Sequence, residues 1–124
     1  MKIMSTTPSQ APNDEAMKII INAGKGRTDT YAALSAVAEG DFRRAGELLE
    51  SADKSVSEAH VVHTDRIQQE ASGESTAYSM LFTHAEDTLM TAYGELRLVR
   101  KMLPIFENYE TRLRALEERE VAQP

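Results

Sequence analysis

The sequence of 124 residues contains no cysteine, which excludes disulfide bonds, thiolate metal sites and cysteine nucleophiles. Its longest apolar runs are only a few residues long, and residues 1–14 lack the apolar stretch of a secretory signal. A membrane-spanning helix needs roughly 20 apolar residues. Strand signals are nearly absent too, because apolar and polar residues never alternate for long and no Asn-Gly or Asp-Gly turn occurs. The sequence therefore predicts a cytoplasmic all-α protein.

Positive charge is also scarce. The chain has 14 Lys and Arg residues against 20 Asp and Glu residues, a formal net charge of -6. Proteins that bind nucleic acids usually present a basic face that releases counterions from phosphates. We therefore expect no nucleic acid among the partners, although one basic patch for an acidic protein is compatible with this balance. A chain of this size buries only a modest core, so oligomerisation would help to stabilise it.

Three long stretches carry the three- and four-residue apolar spacing of amphipathic helices, and two short turns separate them. The first helix is predicted to begin with Asp14 as its N-cap. The second runs from Phe42 to about residue 71, and the third runs from Thr76 to beyond Leu113. Because helices joined by short turns lie antiparallel, we predict an up-down-up three-helix bundle.

Local signals mark the ends of these helices. Gly40 and Asp41 indicate a left-handed turn followed by a new N-cap. Pro104 is expected to kink or break the third helix, because proline removes a helical hydrogen bond and clashes with the preceding turn. The predicted organisation is a disordered arm over residues 1–13, the three-helix domain over 14–118 and a frayed tail over 119–124.

The apolar spacing assigns each helix a core-facing row. In the first helix the row is Met17, Ile20, Ile21, Gly24, Tyr31, Leu34 and Val37. In the second it is Phe42, Ala45, Leu49, Ala52, Val56, Ala59, His63 and Ile67, and in the third it is Phe82, Ala85, Leu89, Ala92, Leu96, Val99, Leu103 and Phe106. Close helix packing is expected at the glycines, Gly24, Gly26, Gly46 and Gly94.

A second stripe lies on the opposite face of the third helix. This second stripe consists of Met80, His84, Asp87, Thr91, Leu98 and Met102. An outward helix face is normally charged throughout, whereas this one alternates Met and Leu with small polar groups and a His/Asp pair. The second stripe therefore predicts a second burial surface, supplied most simply by other copies of the chain.

His84 and Asp87 are candidate chemical residues, because side chains at i and i+3 are neighbours on a helix surface. A carboxylate beside an imidazole can fix its tautomer, raise its basicity or help to bind a metal. Spacing alone leaves two other interpretations open, a core histidine with satisfied hydrogen bonds and an incidental surface pair. His60 and His63 are interpreted as core or interface residues, since an i,i+3 histidine pair without a third ligand is a poor zinc signature.

The most informative segments of the chain are IINAGKGRTDTYAAL, EGDFRRAGELLESA, SEAHVVHTDRIQQEASGE and HAEDTLMTA, which occur in this order within about residues 17–95. As a set they resemble the lactose/cellobiose-type enzyme IIA proteins of the bacterial sugar phosphotransferase system. The resemblance implies a three-helix chain that assembles into a nine-helix homotrimer. It implies a phosphotransferase component that accepts a phosphoryl group from the histidine phosphocarrier protein and passes it to enzyme IIB. The sugar would be a lactose-, cellobiose- or chitobiose-type disaccharide, and the chain would meet the membrane only indirectly, through the permease.

The resemblance also implies the site. The family carries its phosphoryl group on a third-helix histidine, in a motif similar to H-x-Q-D-H-L-M, and His84 matches this histidine. Asp87 matches the family's metal-associated aspartate, which implies a divalent cation at the trimer axis, with Mg²⁺ favoured by oxygen ligands.

Three positions depart from the family pattern. Glu86 replaces the Gln of the third-helix motif, Thr88 replaces its second histidine, and His63 replaces the Gln of the second-helix motif EAHxxQT. An added carboxylate at Glu86 should repel a phosphoryl group unless it turns toward solvent. The departures keep an alternative open, a non-catalytic helical regulatory or scaffold protein that kept the enzyme IIA fold.

Overall fold

The computed structural model describes residues 11–74 and 78–123. They form an up-down-up bundle of three helices: α1 (Ala11–Ala38), α2 (Phe42–Ala71) and α3 (Met80–Ala122). This described part contains no strand and shares one core, so the predicted all-α three-helix fold is confirmed. None of its helices combines the length and the apolar character that crossing a membrane requires.

The N-terminal boundary differs from the prediction. α1 begins at Ala11, so residues 11–13 of the predicted disordered arm are helical. Asp14 therefore lies in the first turn rather than at the N-cap, where its negative charge still favours the positive end of the helix dipole. Residues 1–10 of the predicted arm lie outside the described residues.

The boundaries of α3 also differ from the prediction. Thr76, its predicted start, lies outside the described residues, and α3 follows an N-cap at Ser79 whose hydroxyl accepts a hydrogen bond from the Phe82 backbone N–H at 3.1 Å. At the other end, α3 continues through Pro104 to Ala122, so it neither breaks at the proline nor frays after residue 118. Proline removes a single backbone hydrogen bond, and Pro104 is exposed, so water can solvate the carbonyl that loses its partner.

Both predicted turns are confirmed. Gly40 has a φ of 77°, a left-handed conformation that glycine adopts without steric cost. The side chain of Asp41 then caps α2 by accepting a hydrogen bond from the Arg44 backbone N–H at 3.1 Å. α2 ends at Ala71, as expected, and the chain turns at Gly73, whose φ is 93°.

The core rows of α2 and α3 largely agree with the prediction. Their buried members are Ala45, Leu49, Ala52, Val56, Ala59 and His63 in α2 and Phe82, Ala85, Leu89, Ala92, Leu96 and Val99 in α3. Ile67, predicted to face the core, is exposed, and the neighbouring Arg66 is buried instead. A buried charge needs a partner, and the Nη1 atom of Arg66 lies 3.0 Å from a carboxylate oxygen of Glu15 in α1.

The predicted core row of α1 is only partly right, because Ile20, Leu34 and Val37 are half-buried against the core. Met17, Ile21 and Tyr31 are 44%, 52% and 49% exposed. The buried row is Ala16, Ile19, Ala23, Gly26, Thr30, Ala33 and Ala36. These mostly small residues repeat at three- and four-residue steps, and they let the backbone of α1 approach α2 closely. Large apolar side chains on the same face would hold the two helices apart.

Gly26 is the point of closest approach between α1 and α2. A Cβ atom added there would lie 2.5 Å from Cγ2 of Val56 and 3.3 Å from the carbonyl oxygen of Ala52. The predicted close packing is therefore confirmed at Gly26. It is wrong at Gly24, Gly46 and Gly94, where an added Cβ would meet no atom within 4 Å.

We expect Gly26→Ala to lower the free energy of unfolding by about 1–2 kcal/mol. Overpacking a core typically costs about 1–3 kcal/mol, and the better helix propensity of alanine returns about 1 kcal/mol. Val56 cannot relieve the clash easily, because a β-branched side chain has one strongly preferred rotamer in a helix. Gly46→Ala is the matched control and should raise stability by about 1 kcal/mol. Denaturant unfolding followed by circular dichroism measures both, and equal stabilisation by the two substitutions would contradict the close contact.

Charged side chains join the helices at the bundle surface. In one of these links, Arg27 of α1 donates to Glu95 of α3 with an Nε–Oε1 distance of 2.7 Å, and the Tyr31 hydroxyl donates to the same carboxylate. Burial raises the pKa of Glu95, but the hydrogen bonds from Arg27 and Tyr31 more than offset it and hold that pKa below its usual range. This carboxylate therefore stays ionised and helps to fix the orientation of α3.

Candidate functional site

His84 lies in the second turn of α3 and points away from the bundle core. The buried residues Phe82, Ala85 and Leu89 fix the rotation of α3, and His84 and Asp87 consequently lie on its exposed face. Within the described part of the chain, the imidazole of His84 has no hydrogen-bond, ion-pair or ring partner. His84 is therefore not a satisfied core histidine, and its ring nitrogens are accessible from outside the chain.

The other two histidines have partners. His60 is exposed, but its ring stacks on Tyr93 with 5.9 Å between centroids. His63 is buried, and its ring stacks on Phe82 with 6.3 Å between centroids. The interpretation of His60 and His63 as packing residues is consistent with both contacts, and His84 is the histidine best placed to react with an external group.

His63 and Glu86 form a pair between α2 and α3. The Nε2 atom of His63 lies 2.7 Å from a carboxylate oxygen of Glu86, and the Glu86 side chain is 39% exposed. Because an ionised carboxylate can only accept, the imidazole N–H donates this hydrogen bond. Glu86 thus turns toward His63 rather than only toward solvent. The structure brings together two of the three positions that depart from the family pattern.

Thr88 stands where the family pattern has its second histidine. Its hydroxyl donates to the carbonyl oxygen of His84 at 2.9 Å, a bond within the same helix. A threonine hydroxyl commonly bonds back to the carbonyl four residues earlier. Thr88 therefore contributes no imidazole near His84, and its hydroxyl is engaged with the backbone.

Asp87 is exposed beside His84, with Met80 and Leu98 on the same face at 76% and 62% exposure. Across residues 11–74 and 78–123, no group of three or more His, Asp or Glu side chains could hold a metal ion. In each chain, Asp87 is therefore the one carboxylate that the second stripe offers to a cation. A hard cation takes six or more oxygen ligands, so a cation at Asp87 would draw its other ligands from water or from other copies.

Sequence reasoning missed a charged cavity beside the site. The cavity has a volume of about 230 Å³ and is lined by Arg66, Glu70, Tyr78, Ser79, Phe82, Thr83 and Glu86. The guanidinium of Arg66 lies 5.1 Å from the centroid of the Phe82 ring, a distance typical of a cation–π contact. The sequence feature that could have predicted this cavity is the position of Arg66, three residues after His63 on the same face of α2.

We expect His63 and Glu86 to be energetically coupled. His63→Gln and Glu86→Gln should each lower the free energy of unfolding by about 1–3 kcal/mol, because each leaves a part-buried polar group with a poorer partner. The double variant restores a pair of neutral amides that can bond to each other. Its loss of unfolding free energy should therefore be smaller than the sum of the two single losses, by about 1 kcal/mol or more. Denaturant unfolding of all four proteins measures this difference. Strictly additive effects would mean that the pair is incidental.

Comparison with known proteins gives consistent matches. The family described as PTS system, Lactose/Cellobiose specific IIA subunit, matches residues 14–107. The PTS system oligo-beta-mannoside-specific EIIA component of Bacillus subtilis (strain 168) is 36% identical over 107 residues, which are 86% of this chain and 94% of that protein.

Two solved structures have the same fold. The PTS cellobiose-specific enzyme IIA from Bacillus anthracis gives a TM-score of 0.75 with 33% identity, over 87% of this chain and 95% of that one. The IIA(Chitobiose)–HPr complex of the Escherichia coli phosphotransferase system gives a TM-score of 0.68 with 30% identity, over 80% of this chain and 96% of that one. The similarity therefore extends over the whole bundle in both sequence and structure.

Proposed function

The chain belongs to the lactose/cellobiose-specific IIA family of the phosphotransferase system, and we propose that it carries the phosphoryl group of the relay on His84. The observation that supports this assignment is the exposed imidazole of His84, which has no partner among residues 11–74 and 78–123, in contrast to the stacked His60 and the paired His63. The donor is the histidine phosphocarrier protein, since the related IIA(Chitobiose) protein forms a complex with HPr. The acceptor is enzyme IIB, and the relay operates in the cytoplasm.

The transfer needs a neutral imidazole nitrogen on His84 as the nucleophile. This nitrogen attacks the phosphorus of the donor's phosphohistidine. A P–N bond forms at His84 while the donor's P–N bond breaks, and the electron pair of that bond returns to the donor imidazole. In the second step a nucleophile of enzyme IIB attacks the same phosphorus, and the electron pair returns to His84. An exposed position on a rigid helix suits this role, because two different proteins must reach the same nitrogen in turn.

The carboxylate of Glu86 bears on this chemistry because it lies two residues after His84. A free carboxylate beside a dianionic phosphoryl group would repel it. Its hydrogen bond with His63, at 2.7 Å, directs the charge toward α2 and away from the exposed face of α3. The pair thereby makes the replacement of Gln by Glu compatible with a phosphorylated His84.

We further propose that three copies associate through the second stripe of α3 around Met80, Asp87 and Leu98, in a way that leaves the His84 imidazole open to its partners. Large apolar side chains on an otherwise polar exposed face favour burial by a partner, and Met80 and Leu98 are 76% and 62% exposed there. Three Asp87 carboxylates would meet at the symmetry axis, where Mg²⁺ would hold them and offset their repulsion. The assembly should give a light-scattering mass three times the 13.8 kDa of one chain. A second copy beside His84 would also shield the phosphoryl group from water.

The sugar is proposed to be a disaccharide of the cellobiose or diacetylchitobiose type, as in the names of two relatives. The chain need not contact it, because it transfers only the phosphoryl group. The test of the relay is incubation of the full chain with phosphoenolpyruvate, enzyme I and the histidine phosphocarrier protein. We expect a mass increase of one phosphoryl group that acid removes and base does not. No labelling under these conditions would favour the non-catalytic alternative.

A further inference from the structure

The C-terminal part of α3 extends beyond the bundle. α3 has 43 residues, whereas α1 and α2 have 28 and 30. The last side chain of α3 packed against the core is Leu103, and all residues from 111 to 123 are exposed. The family match ends at residue 107. Residues 107–122 are therefore a protruding helix about 24 Å long, at a rise of about 1.5 Å per residue.

An apolar row begins in α3 just before the protruding helix and runs along it. Its members are Met102, Phe106, Tyr109, Leu113 and Leu116, which alternate steps of four and three residues. Tyr109, Leu113 and Leu116 are 53%, 54% and 58% exposed. This spacing places them at the a and d positions of a heptad repeat, the pattern with which helices pack side by side in coiled coils. A single helix of this length is marginally stable in water, so the row needs a partner surface.

The apolar row continues the second stripe of α3. At about 100° per residue, Phe106, Tyr109, Leu113 and Leu116 all lie within roughly 40° of the direction of His84. Leu89 and Leu96, which are buried in the bundle core, point more than about 100° away from that direction. The protruding helix therefore presents its apolar row on the face that the second stripe occupies, and the same neighbouring copy can cover both.

The charges beside the apolar row select the partner and its direction. With Phe106 and Leu113 at a positions, Arg112 and Arg119 occupy g positions, and Glu110 and Glu117 occupy e positions. In a parallel pair the g residue of one helix faces the next e residue of the other, which places Arg112 opposite Glu117. An antiparallel pair would place arginine opposite arginine and glutamate opposite glutamate. The segment is therefore complementary to a parallel copy of itself.

We propose that residues 102–119 of α3 form a parallel, in-register coiled coil with the same segment of the other two copies. The proposal rests on the proposed self-association through the second stripe and is independent of phosphoryl transfer. It gives the segment beyond the family match a physical role: it lengthens the interface along the three-fold axis and covers the apolar row. The apolar groove lined by Tyr109, Arg112, Leu113 and Leu116 is the surface that a neighbouring helix would fill.

The absence of cysteine makes a direct test possible, because any introduced thiol is the only one in the chain. In a parallel, in-register coil, identical d positions of neighbouring helices face each other. Leu116→Cys should therefore form disulfide-linked dimers under mild oxidation on the order of tenfold faster than Glu118→Cys, because neighbouring thiols in a coil have a high effective concentration. Glu118 is the matched control, since it is also exposed and lies on the outer face of the same turn. Non-reducing gels at low micromolar protein measure both rates, and circular dichroism checks that each variant keeps its helicity.

Leu98→Cys tests the part of the second stripe that lies within the bundle. It therefore distinguishes failure of the coiled coil from failure of self-association as a whole. If Leu98→Cys cross-links while Leu116→Cys is no faster than Glu118→Cys, the copies associate through the bundle alone and the coiled coil is refuted. If neither Leu98→Cys nor Leu116→Cys cross-links and light scattering gives one chain, both self-association proposals fail. Rapid cross-linking of Leu116→Cys in a chain that accepts no phosphoryl group would support the coiled coil and refute the relay.

Discussion

Replacing His84 with alanine should abolish phosphorylation of the chain by the histidine phosphocarrier protein. The imidazole nitrogen is the attacking atom of the proposed transfer, and alanine supplies no substitute nucleophile. Helicity and the free energy of unfolding should change little, because His84 is exposed and its side chain has no partner in the described part of the chain. Incorporation of label from phosphoenolpyruvate, read beside circular dichroism, measures both outcomes.

His60→Ala is the matched control for this experiment. His60 is also an exposed helical histidine, but it stacks on Tyr93 and lies in α2. We expect its substitution to leave phosphorylation near the wild-type level. If the His84 variant is labelled to the full extent, the phosphoryl group is carried elsewhere, and loss of labelling in the His60 variant alone would identify that residue.

Replacing Asp87 with leucine should preserve or strengthen the trimer and make its stability independent of divalent cations. In the proposed trimer, three carboxylates at the axis would repel one another, and a bound Mg²⁺ would offset this repulsion. A ligand at a hundredfold excess over its Kd stabilises a protein by about 2.7 kcal/mol, so a chelator should lower the melting temperature of the wild type measurably. In the proposed trimer, leucine would replace the charges by apolar contacts beside those of Met80 and Leu98.

Thermal melts with and without chelator, on both proteins at the same concentration, measure this dependence. Asp65→Leu is a suitable control, because Asp65 is an exposed carboxylate on α2. The control should keep the chelator response of the wild type. If the chelator shifts neither the wild type nor the Asp87 variant, Asp87 is an ordinary surface residue and the trimer, if it forms, needs no cation.

The number of helices and the turns between them could be predicted from local sequence. Gly40 and Gly73 adopt left-handed backbone angles, and Asp41 caps α2 through its own side chain. These effects act within a few residues, so the chain encodes them without reference to the rest of the fold. The outward direction of His84 followed in the same way, because the apolar spacing of Phe82, Ala85 and Leu89 sets the rotation of α3.

The core face of α1 could not be predicted in this way. Met17 and Ile21 are half exposed, whereas Ile19 and a row of small residues around Ala23 and Gly26 are buried. Local hydrophobicity favours the larger side chains. Packing favours the smaller ones, because at Gly26 the backbone of α1 comes so near to Val56 that a Cβ atom would be 2.5 Å from its Cγ2. Only the docking of one helix on another decides between these two tendencies.

The environment of Glu86 was likewise decided by tertiary structure. From the sequence alone, a carboxylate two residues after His84 was expected either to repel a phosphoryl group or to turn toward solvent. The fold offers a third solution, since His63 is 23 residues earlier in the chain yet lies within 2.7 Å of Glu86. The sequence by itself therefore determined which face of α3 carries His84 and Asp87, because that depends on local periodicity. Which charges lie beside that face depends on contacts between helices, and the tertiary structure alone decided them.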